Sequence, residues 1–135
     1  MKYYSTNNKQ NIVSFEAAVM AGLADDGGLF MPCEIPKLDN TFFSSLQSFS
    51  FQEIAFHVAE KFIEEEITKK NLENIISEAI NFPAPLFKLD DNLSILELFH
   101  GPTLAFKDFG ARFMAKTMGH FVSKRGDELN ILVAT

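Results

Sequence analysis

Residues 97–115 read ELFHGPTLAFKDFGARFMA, and the expected secondary structure changes twice within this stretch. An apolar strand is predicted over Ser94–Leu98, a turn at Gly101-Pro102, and a helix from about residue 108 to residue 124. Lys107 then lies at the N-terminal end of the helix, next to Asp108. The stretch therefore predicts a strand–turn–helix unit that presents a lysine where the helix begins.

Lys107 is surrounded in the sequence by apolar residues. A buried ammonium group is strongly destabilised unless it is paired or loses its proton, and only the neutral amine attacks a carbonyl such as the aldehyde of pyridoxal phosphate. We therefore expect Lys107 to be a buried nucleophile. The alternative is a lysine whose stem lies along the phenylalanine rings while its charged head stays in water. The apolar neighbours are Phe99, Leu104, Ala105, Phe106 and Phe109.

The residues around Lys107 resemble a known enzyme family. Gly-Pro-Thr, two residues, Phe-Lys-Asp, one residue and Gly-Ala, over residues 101–111, is similar to the lysine segment of the tryptophan-synthase-β-like (fold type II) pyridoxal phosphate enzymes. The longer run LFHGPTLAFKDF, residues 98–109, resembles more narrowly the threonine synthases. This resemblance implies that Lys107 binds pyridoxal 5'-phosphate as a Schiff base and is also the catalytic base. It further implies conversion of O-phospho-L-homoserine and water to L-threonine and phosphate.

The N-terminal residues resemble the same family. Tyr4-Ser5-Thr6 precedes a predicted amphipathic helix, and residues 22–32 then follow the pattern Gly-Leu-Ala-x-Asp-Gly-Gly-Leu-x-x-Pro. Asn7 departs from the family pattern, since relatives tend to have arginine there, so no role of that arginine is carried over. Considered alone, Asp25-Asp26-Gly27-Gly28 is an ordinary turn whose glycines can adopt positive φ.

Three polar residues near Lys107 have more than one interpretation. Asp108 is expected to stabilise the first turn of the helix through the helix dipole rather than to act as a second catalyst. His100 can exchange protons near neutral pH, although a structural, hydrogen-bonded histidine is the commoner case. Thr103 either donates its hydroxyl into the site or bonds to the backbone of its own turn.

The charge of the chain argues against nucleic acid as a partner. Its formal net charge is −6 and its pI is about 5.0. Nucleic-acid binding depends on clustered basic residues that neutralise phosphates, and here the basic residues are scattered. The short pair Lys69-Lys70 follows Glu64-Glu65-Glu66, which predicts a solvated helix face or a junction between helices.

Other functional classes find no support in the sequence. The single cysteine, Cys33, cannot form an internal disulfide and is expected to be packed against other residues, which fits a reducing, cytoplasmic compartment. His57, His100 and His120 lack the spacing of a zinc site, so we expect no metal. No run of 18 apolar residues is present, so we expect no membrane partner.

The remaining elements follow from local patterns. Eight segments are assigned: an extended piece over Lys2–Thr6, a helix capped by Ser14 and running to about Leu23, a buried strand over Leu29–Met31, a helix after the capping box Ser50–Glu53, a helix capped by Thr68 and ending before Pro83, strands over Leu86–Leu89 and Ser94–Leu98 joined by a turn at residues 90–92, and, after a stop at Gly126-Asp127, a strand over Leu129–Ala134.

The proline-rich segment at residues 81–85 predicts a boundary, with one domain over residues 1–82 and a second over residues 83–135. The predicted fold class is α/β: an α+β region of the threonine synthase type, followed by the truncated beginning of a fold type II domain. We expect the family's phosphate-binding loop to lie beyond Thr135, so that the chain is the N-terminal part of a longer enzyme and is inactive alone.

Two further expectations concern binding. The last helix and strand are expected to lack packing partners, so the isolated chain should self-associate. The alternative function is a small, non-catalytic α+β interaction module in which the phenylalanines form the core and Lys107 is solvated.

Overall fold

Two small antiparallel sheets and five α-helices make up residues 1–126 and 128–131, which the computed structural model describes. This mixture confirms the predicted α/β class. None of the helices in these ranges has the length and apolar character needed to cross a membrane. The elements are β1 (Lys2–Ser5), β2 (Ile12–Ser14), α1 (Phe15–Ala21), β3 (Phe30–Pro32), α2 (Asn40–Ser45), α3 (Phe51–Ile63), α4 (Lys69–Ala79), β4 (Leu86–Lys88), β5 (Ser94–Leu96) and α5 (Lys107–Arg125).

The first sheet has β1 at its centre, paired antiparallel with β2 and β3. Strand β1 confirms the predicted extended segment. The sequence does not predict β2, because three residues are too few to show an alternating pattern. The expectation of a buried strand at Leu29–Met31 is wrong, since Leu29 and Met31 are exposed. Strand β3 lies at the edge of the sheet, and only its alternate residues pack inward.

The predicted helix starts are confirmed by their capping contacts. The side chain of Ser14 accepts a backbone hydrogen bond at the start of α1, and that of Thr68 does the same for α4. At the start of α3, Ser50 and Glu53 form both hydrogen bonds of the capping box, at 3.2 and 2.7 Å. Helix α2, which Asp39 caps, lies where the sequence predicts no element.

The core joins residues from distant parts of the chain. Phe121 of α5 is fully buried, and its ring packs edge-on against that of Phe15 in α1, with 6.2 Å between the ring centroids. Burial of a phenylalanine side chain is worth about 1.5–3 kcal/mol. The expectation that this helix lacks packing partners is therefore wrong. The buried cluster consists of Tyr3, Phe15, Ala18, Ile63, Ile67, Leu72, Ile75, Ile76 and Phe121.

The predicted domain boundary between residues 82 and 83 lies between α4 and β4. Helix α5 follows this point in the sequence, yet it packs against α1 and α4, which precede it. The division into residues 1–82 and 83–135 stays a prediction.

A long-range carboxylate contact fixes the start of α1. Glu66 accepts hydrogen bonds from the backbone N–H groups of Phe15 and Glu16, both at 2.9 Å. These are two of the N–H groups that a helix leaves without partners in its first turn. The Glu64–Glu66 segment, a 3-10 turn after α3, is thus more than a solvated face, because one of its carboxylates caps another helix.

The second sheet is the hairpin of β4 and β5 that the sequence predicts, and the structure adds its register, with Leu86 opposite Leu96. All residues of both strands are exposed. The apolar side chains of the hairpin and of the loop after it are therefore in contact with solvent. We call this group the hairpin surface: Leu86, Phe87, Leu89, Leu93, Ile95, Leu96, Phe99, Leu104 and Phe106.

Two other predictions concern Cys33 and the residues that follow α5. Cys33 is exposed, contrary to the expected packing, because it follows the edge strand β3. Helix α5 ends at Gly126, whose φ is +74°, as the sequence predicts. Residues 129–131 have no regular secondary structure, and the rest of the predicted last strand, residues 132–134, lies outside the described residues, as does Asp127.

Candidate active site around Lys107

Lys107 is the first residue of α5, and its side chain is exposed. The expectation of a buried lysine is wrong for this structure, because three of its five apolar sequence neighbours face solvent instead of enclosing it. Leu104 is 74% exposed, Phe106 66% and Phe99 50%. Within residues 1–126 and 128–131, Lys107 forms no ion pair. Its amine is therefore accessible, at one end of the hairpin surface.

Asp108 connects the start of α5 to the preceding loop. Its side chain is only 5% exposed, and both carboxylate oxygens accept hydrogen bonds from Thr103, one from the backbone N–H at 2.8 Å and one from the hydroxyl at 2.7 Å. Burial by itself would raise the pKa of Asp108, but these hydrogen bonds, the amide of Ala105 and the charge of Arg112 together lower it. The carboxylate is thus held in its charged form, as a link between loop and helix.

The loop fits closely against this carboxylate. A Cβ atom on Gly101 would lie 2.3 Å from Asp108 Oδ2 and 2.6 Å from Asp108 Cβ, so only glycine fits there. Leu104 has φ +57°, in the left-handed region, which disfavours a leucine by about 1 kcal/mol. Its N–H donates to the carbonyl of Gly101 at 3.0 Å, which closes the turn. The loop therefore has one tightly specified backbone shape.

The two other candidate residues, Thr103 and His100, form hydrogen bonds with residues other than Lys107. The hydroxyl of Thr103 donates a hydrogen bond to Asp108 Oδ1, a contact that neither interpretation from the sequence included. His100 pairs with Glu97 at 2.7 Å and stacks on the ring of Phe99, with 4.8 Å between centroids. In the described part of the chain, no hydrogen bond joins His100 to Lys107 or Asp108.

Arg112, one helical turn after Asp108, was not singled out by the sequence. Its Nε donates to the carbonyl of Ala79 at 2.9 Å and its Nη2 to that of Glu78 at 2.7 Å. These carbonyls belong to the last turn of α4, which leaves such groups without helical partners. Arg112 thus fixes the beginning of α5 to the end of α4, and with it the base of the lysine.

A second polar cluster lies near the amino terminus. Ser5 is fully buried and donates to Asp26 Oδ1 at 2.6 Å, and the N–H of Gly28 donates to the same oxygen at 2.9 Å. These two hydrogen bonds lower the pKa of Asp26. A Cβ on Gly28 would lie 2.2 Å from Ser5 Oγ, so this glycine is needed for space, whereas Gly27 has the positive φ, +78°. The side-chain amide of Asn7 donates to the carbonyl of Asp26 at 2.9 Å.

No group of three or more histidine, cysteine, aspartate or glutamate side chains among the described residues is arranged to hold a metal ion. The site around Lys107 therefore consists of one accessible amine, one buried carboxylate, a tightly shaped loop and an apolar surface.

Comparison with known proteins assigns the family. Residues 2–80 match the family model described as threonine synthase N terminus, which is more than half of the chain. The chain belongs to the threonine synthase family. The threonine synthase of Buchnera aphidicola subsp. Acyrthosiphon pisum is 42% identical to it over 136 aligned positions, which span all of this chain and 32% of the relative. For the threonine synthase of Escherichia coli K12 the identity is 40%, over 31% of the relative.

Solved threonine synthase structures share the fold. The pyridoxal phosphate (PLP)-bound threonine synthase of Brucella melitensis superposes with a TM-score of 0.88 at 39% identity, covering 93% of this chain and 28% of that one. The crystal structure of the E. coli threonine synthase gives a TM-score of 0.87 at 39% identity, covering 90% and 28%. The chain thus spans about a third of the length of the threonine synthases it matches.

Proposed function

We propose that this chain supplies the lysine-bearing part of a pyridoxal phosphate-dependent threonine synthase, which converts O-phospho-L-homoserine and water to L-threonine and phosphate. Membership of the threonine synthase family supports this proposal, together with a PLP-bound relative of 39% identity. The observation that carries it is the accessible amine of Lys107 on the first residue of α5, within the sequence that resembles the family's lysine segment.

The residues around Lys107 fit the cofactor in one respect. The amine of Lys107 is exposed and forms no ion pair with the described residues, so an aldehyde can reach it. Lys107 is therefore the residue that would hold pyridoxal phosphate, and the cofactor, when bound, supplies an electron sink. Lys107 would also move protons at Cα and Cβ of the substrate, which needs its amine neutral for part of the cycle.

The hairpin surface supports a role within a larger structure. Contiguous exposed apolar side chains of this kind mark interaction sites. We propose that further threonine synthase sequence, of the kind the relatives possess, covers this surface and excludes water from Lys107. The two-domain division at residue 82 and a cytoplasmic location belong to the same proposal.

A second candidate function is a non-catalytic binding module. The solvated side chain of Lys107 and the exposed hairpin surface both favour it. In that case the hairpin surface binds a partner, and Lys107 has no special reactivity.

Trapping of the cofactor distinguishes the two functions. The chain is incubated with pyridoxal phosphate, reduced with borohydride and mapped by peptide mass spectrometry, alongside Lys107→Ala and the control Lys124→Ala, another exposed lysine of α5. We expect most of the reduced adduct on Lys107 and a smaller amount on exposed lysines such as Lys124, and we expect the Lys107 adduct to be absent only from Lys107→Ala. Equal labelling of many lysines would support the binding module. We expect no turnover of phosphohomoserine by the chain alone, because its lysine is open to water.

A further inference from the structure

We propose that Asp108 is a positioning residue for Lys107, which acts by fixing the loop of residues 101–106 to the first turn of α5. This inference rests on the proposed function, since it concerns how the lysine is directed toward the cofactor. Asp108 is adjacent to Lys107 in the chain but has the opposite environment, buried where the lysine is exposed.

Asp108 is bound to the loop through both of its carboxylate oxygens. Thr103 donates to one oxygen of Asp108 through its N–H and to the other through its hydroxyl. Both contacts come from one residue, so they fix the orientation of the loop as well as its distance from the helix. A carboxylate that is buried and used in this way acts through the loop and not on a substrate.

Arg112 stabilises the part of α5 that carries Asp108. Arg112 lies four residues further along α5 and is bound to the carbonyls of Ala79 and Glu78 at the end of α4. Its charge also stabilises the charged form of Asp108. Arg112 therefore holds α5 against α4 one turn after Asp108, and Asp108 holds the loop, so the first turn of α5, which carries Lys107, is fixed on both sides.

The loop of residues 101–106 has a restricted backbone conformation. Gly101 lies against the Asp108 carboxyl with no space for a Cβ, and Leu104 adopts a left-handed conformation while its side chain is exposed. Such a conformation persists only where surrounding contacts hold it, and it is a recurrent feature of functional sites. The contacts of Asp108 hold it here, so Phe106 and Lys107 leave the loop in a defined direction.

The test uses isosteric variants of the whole chain. Asp108→Asn removes the charge, Thr103→Val removes only the hydroxyl, and Thr103→Ser keeps it. For each, the borohydride-trapped pyridoxal phosphate on Lys107 is divided by that on Lys124 in the same sample, which is the internal reference. Hydrogen exchange at the amides of Thr103 and Leu104, without cofactor, and thermal unfolding are measured in parallel.

We expect Asp108→Asn and Thr103→Val to lower the Lys107 to Lys124 ratio about tenfold, since small displacements of a reacting group are costly. Both should speed exchange at Thr103 and Leu104, whereas Thr103→Ser should restore most of the ratio. A merely structural role would lower the unfolding temperature and leave the ratio unchanged.

The possible failures are distinguishable. A ratio that favours Lys107 equally in the unmodified chain, Asp108→Asn and Thr103→Val would overturn the positioning role and leave the proposed function intact. An unmodified chain without preference for Lys107 would overturn both. If Asp108→Asn does not fold, Thr103→Val tests the positioning role by itself, because Thr103 is exposed and this substitution removes only one hydrogen bond.

Discussion

Gly101 and Gly28 illustrate a role of glycine that the sequence does not reveal. Both lie where a Cβ atom would collide with an oxygen of a hydrogen-bonded side chain, that of Asp108 in one case and that of Ser5 in the other. The turn at residues 25–28 is predictable from its composition, and so is the positive φ of Gly27. The close approach at Gly28 is not, because it depends on a partner in β1.

Replacement of Gly101 by alanine should destabilise the chain. The added methyl group forces the loop away from Asp108, and a forced contact of this kind lowers the free energy of unfolding by about 1–3 kcal/mol. The control is Gly119→Ala on the open side of α5, where nothing lies within 4 Å of the new Cβ. That change should stabilise the helix by about 0.5–1 kcal/mol. Urea denaturation of both variants measures the difference, and similar effects would contradict the proposed fit.

Asp26 should make the stability of the chain depend on acid pH. Its pKa is lowered in the fold by Ser5 and Gly28, so the unfolded chain binds its proton more readily. The stabilisation is fully present above the unfolded pKa of about 3.9 and is lost as the pH falls through the lower folded value. The loss of stability in acid should be absent from Asp26→Asn. It should remain in Asp25→Asn, which changes the exposed neighbouring carboxylate. Thermal unfolding from neutral to acid pH gives the comparison, and parallel profiles for both variants would exclude the effect.

The helices show where local sequence suffices and where it does not. The caps by Ser14, Ser50 and Thr68 are predictable because donor and acceptor are three residues apart. The caps by Glu66 and Arg112 are not, since their partners are distant in sequence and become neighbours only in the folded chain. The burial of Phe121 and Val122 in α5 agrees with their apolar character, but the sequence does not show against which helices they pack.

Arg112 should contribute more to stability than another arginine of the same helix. Its guanidinium bonds to two carbonyls of α4, and hydrogen bonds from a charged group are worth about 2 kcal/mol. Arg125 forms an ion pair with Glu16 at the surface, a type of contact worth less than about 1 kcal/mol. We therefore expect Arg112→Met to lower the free energy of unfolding more than Arg125→Met does. Equal losses in denaturant unfolding would show that the α4 contact is not stabilising.

For the molecule as a whole, the sequence predicts the class of fold and the family but not the distribution of exposed surface. The phenylalanine-rich composition indicates an extensive core, and Phe15 and Phe121 are indeed buried. Phe99 and Phe106 have the same residue type and lie outside. Nothing local separates the two pairs, because burial depends on which elements meet. The same uncertainty explains why Lys107 is expected to be buried and is exposed.

The hairpin surface should cause the chain to self-associate. Among the described residues, β4 and β5 each pair on one side only and carry exposed apolar side chains, a combination that promotes association between chains. Light scattering should give an apparent mass that rises with protein concentration. Phe87→Lys on β4 should reduce the rise, whereas Leu23→Lys, at an exposed apolar position far from the hairpin in sequence, should not. A monomer at every concentration would refute this expectation.

The position of Phe121 in the core also determines when the fold can be completed during synthesis. Tyr3 and Phe15 are translated early, whereas Phe121, which packs with them in the core, is translated only after the hairpin of β4 and β5 and the loop of residues 101–106. Contacts between such distant residues form slowly, since a long loop must close first. A nascent chain that ends near residue 82 lacks Phe121, so its apolar cluster is exposed to chaperones until α5 emerges from the exit tunnel.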